Sequence, residues 1–217
     1  MIDWEERAAR AVERYEDGLA RLPEDPDERQ RQLTRMGNAA WAAGLSQLML
    51  GRRDEGNAWL LRAADRYRES WPGAPPGSWG RPIGAMKSRL IAGDREGARG
   101  ESHWALDAGA AESESPIGRY AASLAYLVLG EDAAAGELAA TLVGRDDIPP
   151  PVAGTLATLS ASDRGGYQAA IRALLADFEG RAEFLEDIPV ADTVLAVQAL
   201  AATRELAAQL QSPLLPG

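Results

Sequence analysis

Three glycines that each end an apolar run divide the first part of the chain into units of similar length. Gly51, Gly93 and Gly130 follow the runs Leu-Met-Leu, Leu-Ile-Ala and Leu-Val-Leu, and they lie 42 and 37 residues apart. Glycine directly after a helix supplies the left-handed conformation that ends it, and repeats of this length are typical of stacked helix hairpins. The pattern therefore predicts antiparallel helix pairs that turn at the three glycines.

Small residues recur at fixed distances from these glycines. They are Ala43, Ala85 and Ala122, eight positions before each glycine, and Gly56, Ala98 and Ala135, five positions after it. The distance between two packed helices depends on the side chains at the contact, so small residues mark close crossings. We expect the two helices of each pair to meet at these positions.

The composition and the positions of proline and glycine favour helices along the whole chain. Strong helix formers dominate, whereas strand-forming residues never gather into alternating runs. Proline and glycine separate ten predicted helices, at residues 3–22, 27–50, 54–70, 78–92, 94–110, 116–129, 132–143, 150–161, 165–180 and 189–211. We therefore predict a single all-α domain over residues 1–217, with about ten helices and no β-sheet. Its predicted parts are units 36–71, 78–110 and 116–144, a degenerate unit 150–180 and a capping helix 189–211.

The repeat resembles the tetratricopeptide-repeat (TPR) family of helix-turn-helix units. The resemblance covers about residues 36–145 and rests on the small residues at the two close-packing positions and on the Gly-Asp-like turn. This chain departs from the family at the aromatic position of the second helix, where it has Leu60, Ser102 and Ala139. The resemblance implies a TPR-like α-solenoid, in which the first helix of each unit lines a concave groove.

Ten residues form the candidate partner-binding surface. Eight lie at the groove-facing offsets that the TPR resemblance implies, and two bracket a Pro/Gly loop that is either folded down by their rings or offered to a partner. They are Trp41, Leu45, Leu48, Trp71, Trp79, Ile83, Lys87, Leu90, Tyr120 and Leu124. An apolar groove left open would be a large exposed patch. We expect the groove to be filled, either by the C-terminal helix of the chain or by another protein.

The C-terminal segment shows a second resemblance. Residues 178–216, with a predicted helix through 195–210 and the ending Ser-Pro-Leu-Leu-Pro, are similar to the ends of immunity protein 49-type antitoxins of bacteria. Those proteins are all-helical and are thought to neutralise a toxin by binding it. The similarity implies a toxin-neutralising role.

The charge balance and the rare residue types exclude several classes of function. The chain has 33 acidic residues against 23 basic ones, a formal net charge of -10, no cysteine and one histidine. The acidic surplus argues against binding to nucleic acid, and the scarcity of cysteine and histidine argues against a metal site. No apolar run approaches the roughly 20 residues of a membrane span, and the charged N-terminus lacks the apolar stretch of a signal peptide. We predict a cytoplasmic protein with no metal, no cofactor, no nucleic-acid partner and no membrane contact.

Side chains that could take part in catalysis or ligand binding occur singly or at turns. Lys87 and Ser88 follow glycines, but neither the spacing nor the predicted structure before them matches a phosphate-binding loop. His103 and Asp107 share a helix face, where we expect them to form a hydrogen bond. Three carboxylate pairs stand beside prolines and are expected to act as caps and turns: Glu24-Asp25, Asp146-Asp147 and Glu186-Asp187. We predict no catalytic residue.

These patterns favour a non-enzymatic helical-repeat module for protein interactions, acting as an adaptor, a regulator or a toxin-neutralising partner. Two alternatives stay open. One is a small-ligand binder or an enzyme with a pocket around the stretch from Trp71 to Arg89 and His103. The other is a self-associating structural homodimer, in which the dimer mate occupies the groove.

Overall fold

The computed structural model describes residues 2–145 and 148–217, which form ten α-helices and no β-strand. The helices are α1 (Trp4–Ala20), α2 (Pro26–Met49), α3 (Arg53–Glu69), α4 (Gly80–Ala92), α5 (Arg95–Asp107), α6 (Pro116–Leu129), α7 (Asp132–Ala140), α8 (Pro150–Ser160), α9 (Arg164–Glu179) and α10 (Asp192–Ala202). Two short 3₁₀ turns, Trp71–Gly73 and Leu185–Asp187, precede α4 and α10. The predicted all-α class is confirmed, and the carboxylate pair Asp146-Asp147 lies outside the described residues.

Each helix packs mainly against its neighbours in the sequence, from the pair of α1 and α2 to the pair of α8 and α9. Most connections are short, so consecutive helices run antiparallel. The last helix is different, because α10 packs chiefly against α4 and only lightly against α8 and α9. The end of the chain is thereby brought back onto a helix from its first half.

The predicted turn glycines all adopt the left-handed conformation. Gly51, Gly93 and Gly130 have φ values of +76°, +79° and +83°. Gly93 and Gly130 directly follow the last residues of α4 and α6, and Gly51 follows the last residue of α2 by two positions. The prediction that three helix pairs turn at these glycines is confirmed.

The small residues lie where helices approach closely. Ala43, Ala85 and Ala122 are fully buried. A Cβ atom added to Gly56 of α3 would lie 3.0 Å from the carbonyl oxygen of Gly44 in α2. The backbones of α2 and α3 therefore touch at this crossing, and no larger residue fits there.

The last helix is shorter than its hydrophobic pattern predicts. The predicted capping helix 189–211 is wrong beyond Ala202, where α10 ends. Glu205 adopts a left-handed conformation with φ of +59°, and the N–H of Leu206 donates to the carbonyl oxygen of Ala201. This arrangement caps the end of a helix. The remaining residues, 206–217, continue without helical structure.

The segment around the start of α10 joins two apolar clusters of the described residues. Ile188 and Val190 belong to a cluster built mainly from α1, α2 and α3, whereas Val194 and Leu200 belong to a cluster that extends from α4 to the end of the chain. Both clusters contain residues that were predicted to face a groove. Because α10 packs chiefly against α4, the C-terminal helix fills part of the predicted groove, and it was one of the two occupants expected from the sequence.

Candidate binding cleft

A cleft of 420 Å³ opens between α2 and α4. Its α2 wall carries Thr34, Asn38 and Trp41, which share one helix face because they are four and three residues apart. The other lining residues come from α3, from α4 and its approach, and from the chain around the start of α10: Tyr67, Ser78, Gly80, Arg81, Ile83, Gly84, Lys87, Leu185 and Asp192. The first helices of two successive pairs therefore form the walls of the cleft.

The ring of Tyr67 lies between two glycines inside helices. A Cβ atom added to Gly37 of α2 or to Gly84 of α4 would lie 2.8 Å from carbon atoms of this ring. Glycine at both positions leaves room for the ring to reach the cleft. The Tyr67 hydroxyl donates a hydrogen bond to Oδ1 of Asn38, 2.9 Å away. Tyr67 thus orients the amide of Asn38 on the cleft wall.

A buried ion pair joins α4 to α10 at the cleft. Lys87 Nζ lies 2.5 Å from Oδ2 of Asp192 and donates to Oγ1 of Thr193 at 3.0 Å. Only 13% of the Lys87 side chain and 10% of the Asp192 side chain are exposed. Removal of one partner would leave the other charge buried and uncompensated, which is strongly unfavourable. The pair therefore fixes the first turn of α10 against α4.

The basic and phenolic groups of the cleft hold their protons at neutral pH. Burial lowers the pKa of Lys87, but attraction to the Asp192 carboxylate and to Tyr120 outweighs burial, so the pKa is raised overall. Burial raises the pKa of Tyr67, and the negative charges of Asp192 and Glu186 raise it further. Tyr67 therefore keeps the proton that it donates to Asn38, and Lys87 keeps its charge beside Asp192.

Leu185 stands at the rim of the cleft with 56% of its surface exposed. The next two residues, Glu186 and Asp187, have φ values of +55° and +57°, a conformation that is strained for residues other than glycine. Two arginines of α1 hold this turn, because Arg14 pairs with the Glu186 carboxylate and Arg7 donates to the Asp187 carbonyl oxygen. The turn thus keeps a large apolar side chain beside the cleft.

The structure brings part of the predicted partner-binding set to this cleft. Trp41, Ile83 and Lys87 line it. Five other members of the set do not line it, namely Leu45, Leu48, Leu90, Tyr120 and Leu124. Leu45 and Leu124 are completely buried, whereas Leu48 and Leu90 line two other clefts and are as exposed as Ile83.

The tryptophans of the proline-rich connector pack against protein. The ring centre of Trp71 lies 5.8 Å from that of Trp79 and 5.4 Å from that of Trp104 in α5. Trp79 is buried and Trp71 is half-buried. The two rings therefore fold the connector down onto α5, which is one of the two outcomes that the sequence left open.

The pocket predicted around the connector and His103 forms only in part. Ser78 and five residues of α4 line the cleft, but His103 is exposed on α5 and does not line it. In the described part of the chain, His103 forms no hydrogen bond with Asp107, so that prediction is wrong. Both side chains are exposed, where water competes for their polar groups.

Five residues of the cleft were not anticipated from the sequence: Thr34, Asn38, Tyr67, Leu185 and Asp192. A signal for Tyr67 existed in Gly37 and Gly84, since glycine is unfavourable inside helices and often marks a close approach. Nothing local in the sequence pairs Lys87 with an aspartate so much later in the chain.

Two further observations concern the described residues as a whole. They contain no group of three or more histidine or acidic side chains placed to hold a metal ion. They also contain no helix with the length and apolarity that crossing a membrane requires.

Comparisons of the chain with protein families, with curated proteins and with solved structures gave no match.

Proposed function

We propose that the chain is a non-enzymatic helical-repeat module that binds another protein at the cleft between α2 and α4. The observation that carries this proposal is the exposed Leu185 beside a cleft with apolar walls. Trp41 and Ile83 supply the walls, and Asn38 supplies a fixed polar group. Aromatic and aliphatic anchors around a few oriented polar groups are typical of surfaces that bind protein segments.

The arrangement of the helix pairs supports a TPR-like solenoid as the framework. The pairs of α2 with α3, α4 with α5 and α6 with α7 each turn at a glycine and pack through small residues. The cleft walls are α2 and α4, the first helices of two successive pairs. The TPR resemblance implies a partner-binding groove on these helices.

The chemistry of the cleft favours binding over catalysis. A general acid or base works best with a pKa near the working pH. The pKa values of Lys87 and Tyr67 are both raised, away from neutrality, and Lys87 is paired with Asp192. An adaptor, a regulator or a toxin-neutralising protein would each use such a surface without chemical turnover.

Selection of a phage-displayed peptide library against the full chain tests the proposal. The selection should enrich peptides whose binding is lost in Leu185→Asp, because a carboxylate at the rim opposes burial of an apolar partner residue. The matched control is Leu19→Asp, since Leu19 is an exposed leucine of α1 that does not line the cleft. A selection without enrichment, or peptides that bind both variants equally, would contradict the proposal.

The small-ligand alternative concerns the same cleft. Its volume of 420 Å³ lies within the range of about 300–1,000 Å³ that is usual for small-molecule sites, as do the volumes of four other clefts, at 370–760 Å³. A thermal-shift screen of metabolites would favour this alternative if a compound stabilised the chain and lost its effect in Asn38→Ala. Light scattering tests the homodimer alternative, because a chain that stays monomeric at all concentrations cannot close its groove with a second copy.

A further inference from the structure

The last residues of the chain lie on the helices with an alternating pattern of burial. From Leu206 to Leu214, every second side chain is buried or partly buried, and those between are exposed. The inward residues are Leu206, Ala208, Leu210, Ser212 and Leu214, and the outward ones are Ala207, Gln209, Gln211 and Pro213. Alternation with a period of two is a property of an extended chain. Residues 206–212 are extended and Pro213 and Leu214 form a turn; residues 206–214 are termed the tail.

One glutamine of α10 holds the backbone of the tail. Gln198 Nε2 donates to the carbonyl oxygen of Ala208 at 2.6 Å, and Gln198 Oε1 accepts from the N–H of Ala208 at 3.1 Å. The hydroxyl of Tyr167, a buried residue of α9, donates to the same Oε1 at 2.8 Å. Because both bonds to Ala208 involve main-chain atoms, this contact recognises an extended backbone and not a particular side chain.

Two further contacts hold the far end of the tail. Ser212 Oγ donates to the Glu179 carboxylate at the end of α9, over 2.7 Å. The N–H of Ala191, just before α10, donates to the carbonyl oxygen of Leu214 over 3.0 Å. The inward leucines pack against the larger apolar cluster. The tail is therefore bound as a peptide ligand is bound, through main-chain hydrogen bonds and alternate side chains.

The tail is separable from the helices that hold it. α10 ends at Ala202, before the tail begins, and the left-handed position of its cap is occupied by Glu205. A residue other than glycine is strained at such a position. Rotation of the backbone at Glu205 would release the strain and the tail, while Arg204 would keep the end of α10 joined to the Leu127 carbonyl oxygen and the Asp132 carboxylate.

We propose that the face of α9 and α10 around Gln198 is a peptide-binding groove, which the tail occupies until an extended segment of a partner protein displaces it. The segment that fits has a leucine-sized, a small and a leucine-sized residue at alternate positions, as in Leu206, Ala208 and Leu210. The tether gives the tail an effective concentration of about 1 mM, so only a segment that binds well enters the groove. This groove is separate from the cleft between α2 and α4 and does not depend on the function proposed there.

The test uses full-length protein and a fluorescein-labelled synthetic peptide with the sequence of residues 203–217. The double variant Leu206→Ser/Leu210→Ser weakens its own tail, so it should bind the peptide with one-to-one stoichiometry. The unmodified chain should bind the peptide about tenfold or more weakly, because the tethered tail competes with it. Addition of Gln198→Ala to the double variant should abolish binding.

Two altered peptides serve as matched controls. A peptide with serine at the outward positions Gln209 and Gln211 should bind as the original does, whereas serine at the inward positions Leu206 and Leu210 should prevent binding. Far-UV circular dichroism establishes that the double variant keeps its helices. A folded double variant that does not bind the original peptide, or that binds both altered peptides equally, overturns the proposal.

Hydrogen exchange of the unmodified chain gives a test without any substitution. The amide of Ala208 should exchange about tenfold or more faster than the amides of Val197 and Leu200 in α10, because local opening needs less free energy than global unfolding. Equal protection would mean that the tail opens only when the protein unfolds, which overturns the proposal. A dimer of the unmodified chain that forms by exchange of tails, and is lost in the double variant, would also overturn it by assigning the groove to a second copy.

Discussion

The same position in three successive helix pairs is occupied by Leu45, Lys87 and Leu124, six residues before each turn glycine. The two leucines are fully buried among apolar residues. Lys87 is nearly as buried, but it is paired with Asp192 of α10. A leucine is stabilised by any apolar neighbour, whereas a buried lysine is tolerated only with its charged partner in place. The second pair therefore specifies where α10 binds, while the first and third supply apolar surface.

The second pair, α4 and α5, is also joined to α3 by a network of ion pairs. Arg89 of α4 forms ion pairs with Asp65, Asp94 and Glu101, at 2.7, 2.9 and 3.0 Å. The Glu101 carboxylate is buried and also pairs with Arg68 of α3 at 2.8 Å. These contacts connect α3, α4 and α5. These ion pairs fix α4 relative to α3 and α5, and the Lys87–Asp192 pair in turn fixes α10 on α4.

The largest effect is expected when Lys87 is replaced by leucine, the residue that the other two helix pairs have at this position. Lys87→Leu leaves the Asp192 carboxylate buried without a cation, so the free energy of unfolding should fall by about 3–5 kcal/mol. The double variant Lys87→Leu/Asp192→Leu removes both charges and should recover most of this loss. Urea unfolding of the three proteins measures the difference. A single variant as stable as the parent would mean that the ion pair does not hold α10.

A smaller effect is expected at the three close crossings. Leucine in place of Ala43, Ala85 or Ala122 should overpack a fully buried site and cost about 1–3 kcal/mol in each case. Similar losses in all three variants would show that the helix pairs share one packing geometry. Denaturant unfolding with no loss in any of them would refute the equivalence of the three pairs.

A still smaller effect is expected at the glycine beside Tyr67. Gly84→Ala places a methyl group 2.8 Å from the Tyr67 ring, so overpacking should exceed the gain in helix propensity and give a net loss of about 1 kcal/mol. Gly80→Ala, in the same helix, is the matched control because its Cβ meets open space. Thermal unfolding should show that the control is neutral or stabilised. Equal melting temperatures for the two variants would mean that Gly84 is not needed for the ring.

The smallest effect near neutral pH is that of proton binding at the cleft. The pKa values of Lys87 and Tyr67 are raised from their ordinary values of 10.5 and 10.0, so the folded state binds their protons more tightly than the unfolded state. The contribution of these two groups to the free energy of unfolding is therefore complete below about pH 10 and is lost as the pH rises further. Urea unfolding from neutral to alkaline pH should show a steeper loss for the parent than for Lys87→Leu/Asp192→Leu. A decline of equal slope in both proteins would contradict this account.

The sequence by itself determined the helices and their turns. The left-handed glycines Gly51, Gly93 and Gly130 and the helix-forming stretches between them act over a few residues, so they are evident without the rest of the fold. The end of α10 was not determined in this way. Leu206, Leu210 and Leu214 are four residues apart, a spacing that fits one face of a helix and also one face of an extended chain. Contacts with Gln198 and Glu179 decide between the two conformations.

The residues of the candidate site could likewise be predicted only in part from the sequence. The TPR resemblance implied that Trp41, Ile83 and Lys87 face a groove, and these three residues do line the cleft. The resemblance did not indicate which groove-facing residues other segments cover, so it did not separate the cleft residues from the five that lie elsewhere. The partners Asp192 for Lys87 and Asn38 for Tyr67 come from other helices. Periodicity fixes the direction in which a side chain points, but only the packing of distant segments decides what it meets there.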